Sequence, residues 1–121
     1  RNNNLPRQVL FYRCQALINL SRKDEALHML RKIYGLEVER PILNAAGRIQ
    51  IMLVLSAVLE ERIKTAATSD ESEIIKEETL GILGRAYRLM ARAGQETLEM
   101  VQLEEKIHEL NDGDESPIES S

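Results

Sequence analysis

The sequence has 121 residues, of which 43% are hydrophobic and 30% charged, and its formal net charge is −4. This length fits one domain, and this composition can bury a core, which excludes a globally disordered chain. No nucleic-acid partner is expected, because phosphate binding needs a concentrated basic surface. Cys14 is the single cysteine, so no intramolecular disulfide forms and a reduced intracellular compartment, cytoplasmic or nuclear, is expected.

The first two predicted helices are separated by a short polar turn. Helix one is expected over residues 6–20, because Pro6 suits the first helical position. Its apolar residues cover more than half of the circumference, which predicts packing on more than one side. Helix two is expected over residues 22–34, with Ser21 as its N-cap and Gly35 as the residue that ends it.

Helix three is expected over residues 41–67, which is long for a small domain. Its middle is apolar almost all round, so Ile51, Leu55 and Val58 are predicted to be buried in the core or against a partner. The longest apolar run, IQIMLVLSAVL, is shorter than the about 20 residues that a membrane-spanning helix needs. No membrane partner is therefore expected.

Helix four is expected over residues 71–93, with Thr68 or Asp70 as a cap and Gly94 at its end. Helix five is expected over residues 95–110, with Leu98 and Val101 widening its apolar face. The acidic, serine-rich residues 112–121 are predicted to form a disordered tail. No stretch alternates as a strand does, so the sequence predicts an all-α fold of about five helices in a single domain, residues 1–111.

Two segments resemble the tetratricopeptide repeat, a helix-turn-helix unit of about 34 residues. The first is FYRCQALINLSRKDEALHMLRKIYG, with Ala16-Leu17 late in its first helix and Glu25-Ala26-Leu27 in its second. The second is LGILGRAYRLMARAGQETLEMVQLEEKI, with Leu83-Gly84 and Ala86-Tyr87. The resemblance implies antiparallel helix hairpins and a concave wall of first helices that holds a peptide. An unrelated small helical bundle is the alternative.

The sequence offers few residues suited to catalysis or metal binding. His28 and His108 lie on polar helix faces without other ligand residues at a suitable spacing. Cys14 lies among apolar neighbours in mid-helix, which predicts a buried, inert thiol. Neither a metal nor a cofactor is expected, and an enzyme or enzyme regulator is the least favoured interpretation.

Two sets of surface residues are candidate binding sites. Arg85, Arg88 and Arg92 align on helix four, away from its apolar stripe, where they can bind an acidic peptide through bidentate carboxylate contacts. Gln15 and Asn19 lie on the narrow polar side of helix one, at positions that line the concave wall in the resembled family. For both sets, simple solvent exposure is the alternative.

We therefore expect a non-catalytic scaffold domain that binds a partner peptide or helix and belongs to a larger protein or complex. The alternative is a helical oligomerisation or assembly domain that uses residues 41–67 or 95–110. That alternative predicts a homo-oligomer, whereas the scaffold predicts a monomer.

Overall fold

The structure is a computed structural model, and it describes residues 6–94 and 98–112. These residues form α1 (Arg7–Asn19), α2 (Lys23–Glu39), α3 (Ala45–Lys64), α4 (Ser69–Arg92) and α5 (Leu98–Asp112). The described ranges contain no strand, so the predicted all-α fold class is confirmed. The predicted start of helix five at residue 95 and the predicted tail, except Asp112, lie outside the described residues.

The chain divides into two compact units, the first ending at Val58 and the second beginning at Leu59. In the first unit, α1 packs against α2, and the start of α1 lies beside the end of α2, where Arg7 binds Glu37. In the second unit, α4 packs against α5. Each unit is therefore organised around one helix hairpin, as the fold-class prediction requires.

The core of each unit consists almost entirely of aliphatic and sulfur-containing side chains. The predicted burial of Ile51, Leu55 and Val58 on α3 is confirmed. The first unit also buries Phe11, Cys14, Ala26, Leu27, Leu30, Ile33, Ile49 and Met52. The second unit buries Leu59, Ile75, Ile82, Leu83, Ala86, Met90, Met100 and Leu103.

The predicted cap residues of α2 are wrong at both ends. Ser21 has a left-handed backbone (φ 63°) in the turn, and Arg22 precedes the helix without a side-chain cap. At the other end, α2 continues through Gly35 to Glu39. A glycine inside a helix costs only about 1 kcal/mol, and the buried contacts of Glu37 offset that cost by holding the last turn in place.

The predicted length of α3 is also wrong, because the helix begins at Ala45 and ends at Lys64. The Asn44 side chain accepts a hydrogen bond from the Gly47 N–H at 2.9 Å, which fixes the start of the helix. The cap of α4 is as predicted. Thr68 accepts the Glu71 N–H at 3.1 Å, and the Glu71 carboxylate accepts the Ala67 N–H at 3.1 Å.

Two of the predicted apolar faces are wrong. Helix α1 was expected to pack on more than one side, but Val9 on the helix and Leu20 directly after it are exposed, and the buried residues of α1 are Phe11 and Cys14. Packing against one neighbouring helix covers only one side of α1. On α5, Leu98 and Val101 are likewise exposed, and the buried residues of this helix are Met100 and Leu103.

Candidate functional site

The orientation of α4 is set by its buried side. Ile75, Thr79, Ile82, Ala86 and Met90 recur every three or four residues and are buried. Thr79 lies in this apolar face because its hydroxyl donates to the Ile75 carbonyl at 2.8 Å, which satisfies the buried donor. The opposite side of α4 is consequently turned to solvent.

Arg85, Arg88 and Arg92 lie together on that solvent side, and we call them the arginine stripe. All three are exposed. At about 100° per residue they fall within about one-sixth of a turn of one another. Among the residues that the structure describes, none pairs with the stripe through a hydrogen bond or an ion pair. The three guanidinium groups are thus available to a carboxylate from outside.

Several acidic side chains of the second unit bind other groups instead. The Tyr87 hydroxyl donates to the Glu104 carboxylate at 2.8 Å, which links α4 to α5. Lys106 on α5 donates to Glu60 near the end of α3 at 3.3 Å. These contacts lie away from the stripe, so they hold the unit together without neutralising its arginines.

The stripe also lies in the half of α4 where cations are favoured. The C-terminus of a helix carries a partial negative charge, and arginine near it is stabilising. Arg92 occupies the last turn of α4, whereas Asp70 and Glu71 occupy the first turn. The helix dipole therefore explains why the charges near this end of α4 are positive, but it does not explain why three arginines lie on one side.

Gln15 and Asn19, the other predicted site residues, lie on α1 in the first unit. Asn19 is exposed and Gln15 is half-buried. The exposed Tyr12 ring lies about one turn before Gln15, Val9 is exposed on the same helix, and Leu20 is exposed directly after it. This surface therefore combines amide groups with apolar side chains and carries little charge.

The residue that sequence reasoning missed is Glu37, which is only 3% exposed. Its carboxylate accepts hydrogen bonds from Arg7 and from the Ile42 and Leu43 N–H groups at 3.2–3.3 Å. Arg48 lies 3.6 Å away as a second cation. Because both carboxylate oxygens have partners from this chain, the arrangement is a structural anchor.

The remaining chemistry of the described residues can be stated briefly. In this part of the chain, no group of three or more His, Cys, Asp or Glu side chains is placed to hold a metal ion. Burial raises the pKa of the Cys14 thiol to about 11, which keeps it protonated near neutral pH. Within the described helices, none is both long and apolar enough to cross a membrane.

Comparison with known proteins finds no similar protein. No protein-family model, curated protein or solved structure matches this chain. The resemblance to the tetratricopeptide repeat consequently stays an expectation from sequence.

Proposed function

We propose that this chain is a protein–protein interaction domain that binds an acidic peptide or helix of a partner through the arginine stripe. The observation that carries the proposal is the group of three aligned, exposed guanidinium groups without a carboxylate partner among the described residues. Arginine binds carboxylates with two parallel hydrogen bonds, which gives directional recognition. The domain would act as a scaffold, without catalysis.

The overall charge of the chain supports this proposal. A net charge of −4 repels acidic partners on average, so a local cluster of arginines is required to attract one. The core does not use the stripe, because its three side chains point away from the buried side of α4. The oligomerisation alternative through residues 41–67 is less favoured, since Ile51, Leu55 and Val58 are already buried within one chain.

The test is direct binding of a labelled helical peptide with glutamates at every third or fourth position, measured by fluorescence anisotropy. A second peptide with glutamines at those positions controls for non-ionic binding. We expect the glutamate peptide to bind the native chain and to lose about tenfold or more in affinity when Arg85, Arg88 and Arg92 are all changed to Glu. Binding should also weaken as salt concentration rises.

A charge-matched variant distinguishes the effect of reversing the stripe from the effect of changing the net charge of the chain. Arg13→Glu, Lys32→Glu and Lys64→Glu change three exposed cations elsewhere by the same total charge. Lys64, like Arg92, lies in the last turn of its helix, so the effect on the helix dipole is also matched. Equal losses in the two triple variants, or binding that survives reversal of the stripe, would sink the proposal.

If the stripe fails this test, the surface of α1 becomes the leading candidate site. Gln15 and Asn19, with the exposed Tyr12 ring beside them, then offer hydrogen bonds and an apolar contact to an extended peptide. Changing Tyr12 and Asn19 to Ala would in that event reduce partner binding without affecting the stability of the core.

A further inference from the structure

The arginine stripe is one half of a longer exposed face that runs along α4. The members of this face are Asp70, Ile74, Glu77, Gly81, Arg85, Arg88 and Arg92, and all seven are exposed. We call this set the α4 face. Its members fall within an arc of about 80° at about 100° per residue, so they follow one straight side of the helix over about 33 Å.

The α4 face is symmetric in position and opposite in charge about Gly81. Arg85, Arg88 and Arg92 follow Gly81 by four, seven and eleven residues, and Glu77, Ile74 and Asp70 precede it by the same intervals. The first half is acidic at two of its three positions, whereas the second half is basic at all three. An antiparallel two-fold axis at Gly81 would therefore set Glu77 against Arg85 and Asp70 against Arg92.

We propose that the acidic partner of the arginine stripe is the first half of the α4 face of a second copy of this chain, bound in an antiparallel dimer. This inference rests on the proposed function, because it names the partner of the same arginines. A two-fold interface is self-complementary, so each contact occurs twice and four ion pairs form in total. A parallel arrangement would instead place like charges opposite each other, and repulsion would oppose it.

Gly81 at the centre has the geometry that a close helix crossing needs. It is exposed, and a Cβ atom built there would meet nothing within 4 Å. Nothing in the described part of the chain therefore requires a glycine at this helical position, where it is unfavourable relative to other residues. At a two-fold crossing, the missing side chain lets two helix backbones approach closely.

Ile74 is the one uncharged position in the acidic half of the α4 face. It is 69% exposed, although it lies inside the helix and isoleucine favours burial. The proposed symmetry places it opposite Arg88 of the other copy. The aliphatic part of an arginine side chain covers apolar surface while its guanidinium stays in water, which suits this pairing.

The test measures self-association of the full chain by sedimentation equilibrium, with two charge-reversed variants. The acidic-face variant carries Arg85→Glu, Arg88→Glu and Arg92→Glu, and the basic-face variant carries Asp70→Arg and Glu77→Arg. We expect the native chain to form a weak dimer with Kd of about 0.1–1 mM, because exposed ion pairs each contribute little. Each variant alone should be monomeric, and an equimolar mixture of the two should form a one-to-one heterodimer.

Two further variants test whether self-association depends on the α4 face itself and not on net charge or helix stability. The triple change of Arg13, Lys32 and Lys64 to Glu gives the same net charge as the acidic-face variant, and it should still dimerise. Gly81→Gln should stabilise the monomer, since glutamine is the better helix former, but weaken the dimer by about tenfold or more. A role of Gly81 in the monomer alone would leave self-association unchanged.

The outcomes distinguish this inference from the proposed function. A native chain that stays monomeric at millimolar concentration, yet binds the glutamate peptide through the stripe, overturns the dimer and leaves the function intact. Self-association that survives in either charge-reversed variant alone, or a mixture of the two variants that stays monomeric, also overturns it. A native chain that neither binds the glutamate peptide nor self-associates contradicts both proposals.

Discussion

Arg7 in the first turn of α1 donates hydrogen bonds both to the carboxylate of Glu37 and to the carbonyl of Arg40. Two helix ends that are 30 residues apart in sequence are thereby joined at one point. The same carboxylate accepts the N–H groups of Ile42 and Leu43, so it also fixes the connection to α3. A single buried anion therefore organises one end of the first unit.

Changing Glu37 to Gln should destabilise the chain by about 2–3 kcal/mol. The amide keeps an acceptor for the backbone N–H groups, but Arg7 and Arg48 lose their counter-charge in a largely buried site. Urea denaturation measures the change. Glu39→Gln, an exposed site in the same helix turn, is the control and should change stability by less than about 0.5 kcal/mol. Equal effects at the two positions would contradict the anchor role.

The turn between α1 and α2 contains a serine in a conformation that favours glycine. The Arg22 N–H donates to the Leu17 carbonyl at 2.8 Å and the Ser21 N–H donates to the Ile18 carbonyl at 2.9 Å, which is the Schellman arrangement. Ser21 adopts the left-handed conformation that this arrangement requires, with φ of 63°. Gly94 adopts the same conformation, with φ of 73°, directly after the C-cap of α4.

Ser21→Gly should therefore raise the stability of the chain by up to about 1 kcal/mol, because glycine adopts positive φ without steric cost. Thermal unfolding followed by circular dichroism measures the shift. Gly94→Ala is the reciprocal control: it should lower stability by about 1 kcal/mol because of its positive φ, although among the described residues no non-neighbouring atom lies within 4 Å of a Cβ built there. A lower melting temperature for Ser21→Gly would show that the serine side chain has a stabilising role of its own.

Those two turns show what could be predicted of the fold from sequence. Gly94 was recognised as a helix end because glycine is the usual residue at positive φ. Ser21 was mistaken for an N-cap because serine is common there, and nothing local indicates that it ends α1. Gly35 was mistaken for a helix end because glycine commonly ends helices, although here it lies inside one. Its helix is continued through Glu37, and one partner of that carboxylate, Arg7, lies 30 residues away in sequence.

Part of the candidate site, the alignment of its arginines, was predictable from sequence, but contacts between helices were not. Helical periodicity alone places Arg85, Arg88 and Arg92 on one side of α4, and the structure places all three in solvent. Periodicity could not show that Glu104 of the same unit binds Tyr87, because that contact joins two helices. The exposure of Val9 on α1 was missed because an apolar pattern does not reveal how many neighbours a helix has.

Leu55→Ala should cost about 2–5 kcal/mol, because the side chain is 0% exposed and its removal leaves a cavity. The free energy of unfolding is measured by urea denaturation, and sedimentation shows whether the oligomeric state stays unchanged. Gln50→Ala, on the exposed side of α3, is the control and should have little effect. A loss below about 1 kcal/mol at Leu55 would contradict its placement in the core.

The stability of the chain should also fall between pH 9 and pH 11, because of Cys14. Burial raises the pKa of this thiol from 9.0 to about 11 in the folded chain. Below pH 9 both states hold the proton, so the thiol adds no pH dependence. Between the two values the unfolded chain releases the proton while the folded chain keeps it, and the free energy of unfolding decreases as pH rises.

Cys14→Ala isolates this contribution from the tyrosines and lysines that also titrate at high pH. We expect the difference in unfolding free energy between the native chain and Cys14→Ala to shrink from pH 8 to pH 10.5, since only the native chain carries the thiol. Urea denaturation at the two pH values measures it. A thiol-specific reagent at pH 8 gives an independent check, because the buried, protonated thiol should react only as fast as the chain opens. Rapid reaction in the folded state, or a difference that does not change with pH, would show that Cys14 is accessible and its pKa ordinary.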